Sequence, residues 1–138
     1  MLQLFTRNES GTLVPVNTPI TFTDKLIATN DSRFVTVPAT QITLQDPGYY
    51  IVHFDANFEA DVVGTVGVSM FVDGDEYLGA TTGLITAPTG SPQNAGFTAI
   101  VHVRRSCNCV CNTKSLQFIV QGVNAIVYDA NVVITRLD

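Results

Sequence analysis

One stretch, DPGYYIVHFDANFEA at residues 46–60, constrains the fold of this chain more than any other. A Pro-Gly turn opens directly into a run where Tyr50, Val52, Phe54, Ala56 and Phe58 alternate with His53, Asp55, Asn57 and Glu59. Successive side chains of an extended strand point to opposite faces, so this run has one face to bury and one largely polar face. It therefore predicts a long strand over 49–60 of the half-buried kind found in antiparallel sandwiches. Tyr49 and Ile51 are exceptions, because both are apolar on the polar phase.

The remainder repeats the theme in shorter pieces. Residues 2–5 read as a short strand or ordered arm, 8–11 as a turn, and 13–16 and 21–23 as brief extended segments. Strands are expected at 32–37, ended by Pro38, and at 40–44, leading into the turn at 45–48. Residues 62–72 form another, interrupted by Gly64 and Gly67, where glycine marks a bulge or a close backbone approach. Asp73-Gly74 is a hairpin signal, since a type I′ turn needs positive φ at both central residues. Residues 80–96, rich in Thr, Pro, Gly and Ser, read as mostly loop. Strands follow at 97–103, 116–120 and 125–137. Breakers recur too often for a helix of ordinary length, so the expectation is all-β with two packed sheets.

At 138 residues the chain fits one domain with a real core. Only 14% of residues are charged while 46% are apolar, which implies apolar surface covered by a partner or by copies of the chain. The net charge of −5 with seven Lys and Arg excludes an electrostatic nucleic-acid binder, which needs a concentrated basic patch. Arg104-Arg105 is too small a cluster to change that. No stretch approaches the roughly 18 apolar residues of a membrane helix. The N-terminus lacks a basic region followed by an apolar run, so no export signal is read there, and a route out of a cell would be assembly or lysis.

The chemistry-bearing residues are sparse. Cys107, Cys109 and Cys111 alternate in a bend, where free thiols, a disulfide or a soft-metal site are each conceivable and free thiols are favoured. His53 and His102 sit on strands without a nucleophile elbow, so they read as surface or interface residues and no enzyme activity is expected. Asp73, Asp75 and Glu76 gather acidic oxygens at the hairpin tip and are the best metal candidates, although a solvated Asp-Gly turn explains them equally. The expectation is no metal and no cofactor.

Three stretches carry a resemblance. FVTV at 34–37 followed by DPGYYIVHF at 46–54 resembles the first core strand of C1q-like domains. VGVSMFVDGD at 66–75 is similar to their next hairpin, and 97–103, the Cys-bearing bend, 115–122 and 125–137 follow in the same order. The chain thus resembles the C1q/TNF-like jelly roll, and is similar to small proteins of Firmicutes and their phages. The resemblance implies an all-β jelly-roll β-sandwich that assembles as a homotrimer, with residues 1–29 as an N-terminal arm and 30–138 as the jelly-roll domain. It also implies a trimer interface at Tyr49, Ile51, Tyr128 and Val133, where the inner sheet of such trimers buries aromatic and aliphatic side chains; ordinary packing within the chain is the other reading of these residues. No Gly-X-Y repeat is present, so any anchor falls to the first residues, with Leu2, Leu4 and Phe5 as the attachment arm.

The expected function is a structural virion protein of a bacteriophage: a head fibre, capsid decoration or fibre knob. Its partners are then itself, capsid or other virion proteins through the arm, and a host surface glycan, with no nucleic acid and no membrane. The expected location is the virion, assembled in the host cytoplasm. The alternative is a cell-surface or spore-surface binding module that recognises glycan or protein through loops such as 81–96.

Overall fold

The computed structural model describes residues 1–29, 35–105 and 113–137, and these hold ten strands and no helix. In chain order they are β1 (Leu2–Val14), β2 (Asp24–Ala28), β3 (Ile42–Leu44), β4 (Gly48–Ala60), β5 (Thr65–Val72), β6 (Asp75–Thr81), β7 (Ile85–Thr86), β8 (Gln93–Val103), β9 (Lys114–Gly122) and β10 (Ala125–Leu137). One sheet runs β2-β1-β10-β4-β8; the other runs β3-β9-β5-β6, with β7 beside β5. Every strand pairing is antiparallel. Neighbours in space are mostly distant in sequence, as in a jelly roll.

β4 is central to its sheet because both its edges find long partners, β10 and β8. Its alternation is obeyed: Tyr50, Val52, Phe54, Ala56 and Phe58 are all buried. Phe54 stacks on Phe118 of the opposite sheet (ring centroids 5.0 Å apart) and on Phe97 of β8 (5.3 Å). Phe22 meets Phe118 edge-on at 5.9 Å, so an aromatic column links the two layers. The Tyr50 hydroxyl donates to the Asp46 carbonyl at 2.7 Å, which ties the turn at 46–48 to the strand it opens. Asp73 and Gly74 have φ of 52° and 88°, the pair of positive angles that the β5–β6 hairpin requires.

Several expectations are corrected. Residues 1–29 are not a separate arm. β1 pairs with β10 from Leu2↔Ile134 to Val14↔Ala125, and residues 17–20 cross to the other sheet, where Ile20 N–H donates to the Phe118 carbonyl at 2.8 Å. Leu2, Leu4, Ile20 and Phe22 are core residues, so this segment closes both layers. The turn expected at 8–11 is an irregularity inside β1: the Asn8 carboxamide donates to the Gly11 carbonyl while β10 holds the chain on either side. The strand expected at 32–37 does not form over 35–37, and the preceding residues of that range lie outside the described set. The loop expected at 80–96 is shorter, because β6 runs to Thr81 and β8 begins at Gln93.

Candidate assembly face

The outer face of sheet β2-β1-β10-β4-β8 is divided into an apolar half and a polar half. Cross-strand register places Tyr49 between His102 and Leu137, Ile51 between Ile100 and Thr135, and His53 between Thr98 and Val133. Gln3 continues the third row from Val133 to Ile27. Within this half Tyr49 (52%), Ile100 (53%), Leu137 (43%), Met1 (41%) and Ile27 (40%) are all substantially exposed. Scattered exposed aliphatics are ordinary, whereas these gather at one end of one sheet. Tyr49 is held flat against the His102 ring, with centroids 4.0 Å apart and planes 6° apart.

Further along the same face the side chains are polar and already tied to each other. Gln3 donates to the Asn131 carboxamide oxygen at 2.8 Å, and Asn57 donates to both oxygens of Asp129 at 2.9 Å. Asn94 donates to the Asn57 oxygen at 3.0 Å. These bonds fix the orientation of the polar groups within the chain. The outer positions of β9 in the opposite sheet carry Ser115, Gln117, Ile119 and Gln121, a more polar surface with no comparable apolar half.

Three of the four residues expected at an interface, Tyr49, Ile51 and Val133, share the apolar half. Tyr128 does not. The register of β10 against β4 shifts between Val127 and Asp129, and the Tyr128 hydroxyl donates to Glu59 near the other end of the sheet. That hydrogen bond, followed by burial and the negative charge of Glu59, holds the Tyr128 phenol above its usual range. Glu59, read from the sequence as a polar outward residue, is 2% exposed. Its carboxylate also accepts from the Gly90 N–H, while Thr89 donates to the Ala60 carbonyl at 2.7 Å. The carboxylate thereby clasps the 87–90 loop against the end of β4, a role legible only once that loop is placed.

The other candidates have local explanations. Asp73 accepts from the Ser115 N–H at 2.9 Å and lies 3.5 Å from Lys114 Nζ, so it joins the hairpin to the start of β9. With Asp75 and Glu76 it borders an open cleft of about 560 Å³ that Tyr77, His102, Arg104 and Lys114 also line. No group of three or more His, Cys, Asp or Glu among the described residues is arranged to hold a metal ion. His53 Nδ1 is 3.0 Å from the Thr98 hydroxyl. Cys107, Cys109 and Cys111 lie outside the described residues. Leu2 and Leu4 are buried, and Phe5 is half-buried opposite Asn131 and Asp24. At the end of the sandwich away from Tyr49, a cleft of about 360 Å³ is lined by Val62, Val63, Gly64, Thr86, Pro88 and Thr89.

The strand order and the sandwich place this protein in the C1q/TNF-like jelly-roll fold class. Solved structures of that kind superpose along almost the whole chain. The globular domain of zebrafish complement 1qA protein aligns with a TM-score of 0.65, covering 99% of this chain and 96% of its own at 15% identity. Murine APRIL aligns at 0.57, covering 99% and 98% at 14% identity. VP2 protein of infectious bursal disease virus aligns at 0.51 and 9% identity, over 97% of this chain and 31% of that one. At such identities the likeness is one of fold. No protein-family model matches the sequence, and no curated protein matches it significantly.

Proposed function

We propose that this protein is a self-assembling structural module of a bacteriophage virion, of the head-fibre, capsid-decoration or fibre-knob type. It trimerises through the outer face of sheet β2-β1-β10-β4-β8, with no chemical step. The observation that carries the reading is the contiguous group of exposed Tyr49, Ile100 and Leu137 with half-buried Ile51 and Val133, beside a polar half whose side chains are hydrogen-bonded to each other. Removing apolar surface from water contributes about 25 cal/mol per Å², and aromatic anchors in a desolvated centre supply most of an interface's energy. The C1q/TNF-like fold, whose domains assemble as trimers in the resemblance given above, supports the stoichiometry. Kinship with proteins of Firmicutes phages, and attachment to capsid proteins, belong to the same proposal. With Leu2 and Leu4 in the core, attachment falls to Phe5 and the exposed edge strand β2.

Sedimentation velocity on the purified chain at tens of micromolar tests the assembly. A trimer is expected, with Ile51→Glu yielding a folded monomer; a monomeric wild type overturns the reading. Neighbouring capsid and portal genes support the virion assignment, whereas sporulation genes sink it. A second reading, a surface module that binds glycan or protein, is favoured by the other end of the sandwich, where Val62, Val63 and Pro88 are exposed around the cleft. Glycan-array binding lost on shortening the 82–92 loop selects that reading.

A further inference from the structure

Both histidines of the chain, His53 and His102, lie on the assembly face. His53 stands mid-face on β4, exposed in the protomer, flanked by Thr98 on β8 and Val133 on β10. His102, on the edge strand β8, is half-buried under the Tyr49 ring. Resting on the assembly reading above, we infer that protonation of these two imidazoles weakens self-association, so that the module is assembled at neutral pH and released in mildly acidic surroundings.

The physical basis is desolvation. Imidazole is the side chain that changes charge within the physiological range, near pH 6.5 in water. Ile51, Ile100 and Val133 stand beside His53 on this face together with Thr98, Asn131 and Thr135, and excluding water there penalises an imidazolium far more than a neutral ring. The neutral His53 ring keeps its bond to the Thr98 hydroxyl. Copies of each histidine brought together around a symmetry axis would add like-charge repulsion when protonated.

The charged groups around the two rings are of both signs. Facing His53, β8 offers Gly96, Thr98 and Ile100, and β10 offers Asn131, Val133 and Thr135, none of them charged. Asp55, two residues along β4, is the carboxylate nearest in register, roughly 7 Å along the strand. His102 has Tyr49 on β4, Leu137 one strand beyond on β10, and Arg104 two residues along β8. Across the side cleft stand Asp73, Asp75, Glu76, Tyr77 and Lys114. Arg104 and Lys114 offset two of the three carboxylates, and Arg104, two residues from His102 on the same strand, disfavours a second positive charge beside it.

The sign separates this device from general electrostatics. Protonating both histidines moves the formal net charge from −5 towards −3, which by itself lowers repulsion between copies and strengthens association. The proposed effect runs the other way. An imidazole held neutral by assembly contributes fully above about pH 6.5, and its contribution is lost as pH falls below that value.

The test is sedimentation velocity on the full chain between about pH 8 and pH 5.5, above the range where exposed carboxylates titrate, at fixed ionic strength and protomer concentration. The wild-type association constant is expected to fall by up to about tenfold per pH unit for each histidine excluded from water, while the His53→Gln/His102→Gln protein shows a flat profile. A wild-type profile that is flat or rises on acidification, or a double variant that keeps the dependence, overturns the inference and leaves the assembly reading standing. A wild type that is monomeric at pH 8 removes both. Far-UV circular dichroism at pH 5.5 must show a folded protomer; dissociation that tracks unfolding overturns the inference. If the double variant fails to assemble at pH 8, NMR titration of the wild-type imidazole ring protons decides. Proton uptake must coincide with dissociation, and uptake within an intact assembly is the refuting result.

Discussion

Phe54→Ala tests whether the two sheets are clamped through one aromatic column. Phe54 is fully buried, with ring partners 5.3 Å away in its own sheet and 5.0 Å away in the other. Truncating a buried Phe to Ala costs about 3–5 kcal/mol in lost transfer energy and residual cavity. Two ring pairs are lost as well, each contributing about 0.5–1.5 kcal/mol beyond its area. Phe97 and Phe118 are 6.2 Å apart and can close part of the void, so the expected loss is about 4 kcal/mol. That is about a quarter or more of the roughly 5–15 kcal/mol of a typical domain, and it lowers Tm by roughly 15 °C at this size. Phe54→Leu keeps most of the volume and is expected to lose about 1.5 kcal/mol. Phe97, only half-buried, is expected to lose about 2 kcal/mol on truncation to Ala. Urea unfolding, followed by far-UV circular dichroism and by the fluorescence of the four tyrosines, reads all three, since the chain has no tryptophan. Protomer concentration must be held constant, because the proposed assembly would make the midpoint concentration-dependent. A Phe54→Ala protein within about 1.5 kcal/mol of wild type, or a larger loss for Phe97→Ala, refutes the clamp.

Two further outcomes follow from local geometry. A Cβ on Gly67 would sit 2.1 Å from the Gly83 carbonyl oxygen, so Gly67→Ala is expected to lose about 2–3 kcal/mol in the same urea experiment. Gly74→Ala meets nothing within 4 Å and has only its φ of +88° to strain, so it should lose about 1 kcal/mol; equal losses would discredit the close-approach argument. The Tyr128–Glu59 bond makes stability fall at high pH. The folded state holds the phenolic proton more tightly than the unfolded chain does, so this contribution is intact below pH 10.0 and lost as pH rises through the raised folded value. Urea midpoints from pH 9 to 11 should therefore decline less steeply in Tyr128→Phe than in wild type, and parallel profiles would contradict the assignment.

Local patterning was enough for β4, the β5–β6 hairpin and β10, because alternation and a turn needing two positive φ angles are properties of neighbouring residues. The apolar phase of Tyr49 and Ile51 was visible for the same reason. Their companions Ile100, Leu137, Met1 and Ile27 were not, since nothing in those segments alone says which residues stand opposite Tyr49 and Ile51. Tyr128 stands apart from them because the register shift at Val127–Asp129 breaks the count along β10. β2, whose five residues are all exposed, has no pattern to read; it is a strand because β1 offers a free edge.

By itself, then, the sequence determined an all-β chain with a half-buried central strand and an apolar surplus for so few charges. Only the tertiary structure decided that residues 1–29 belong to the body of the sandwich, that Glu59 is a buried clasp, and that exposed apolar residues gather at one end of one sheet. The reason is the range of the interactions. Alternation acts between residues two apart, whereas β1 meets β10 across most of the chain, as in Leu2↔Ile134, and such registers are set by the packing of the whole core.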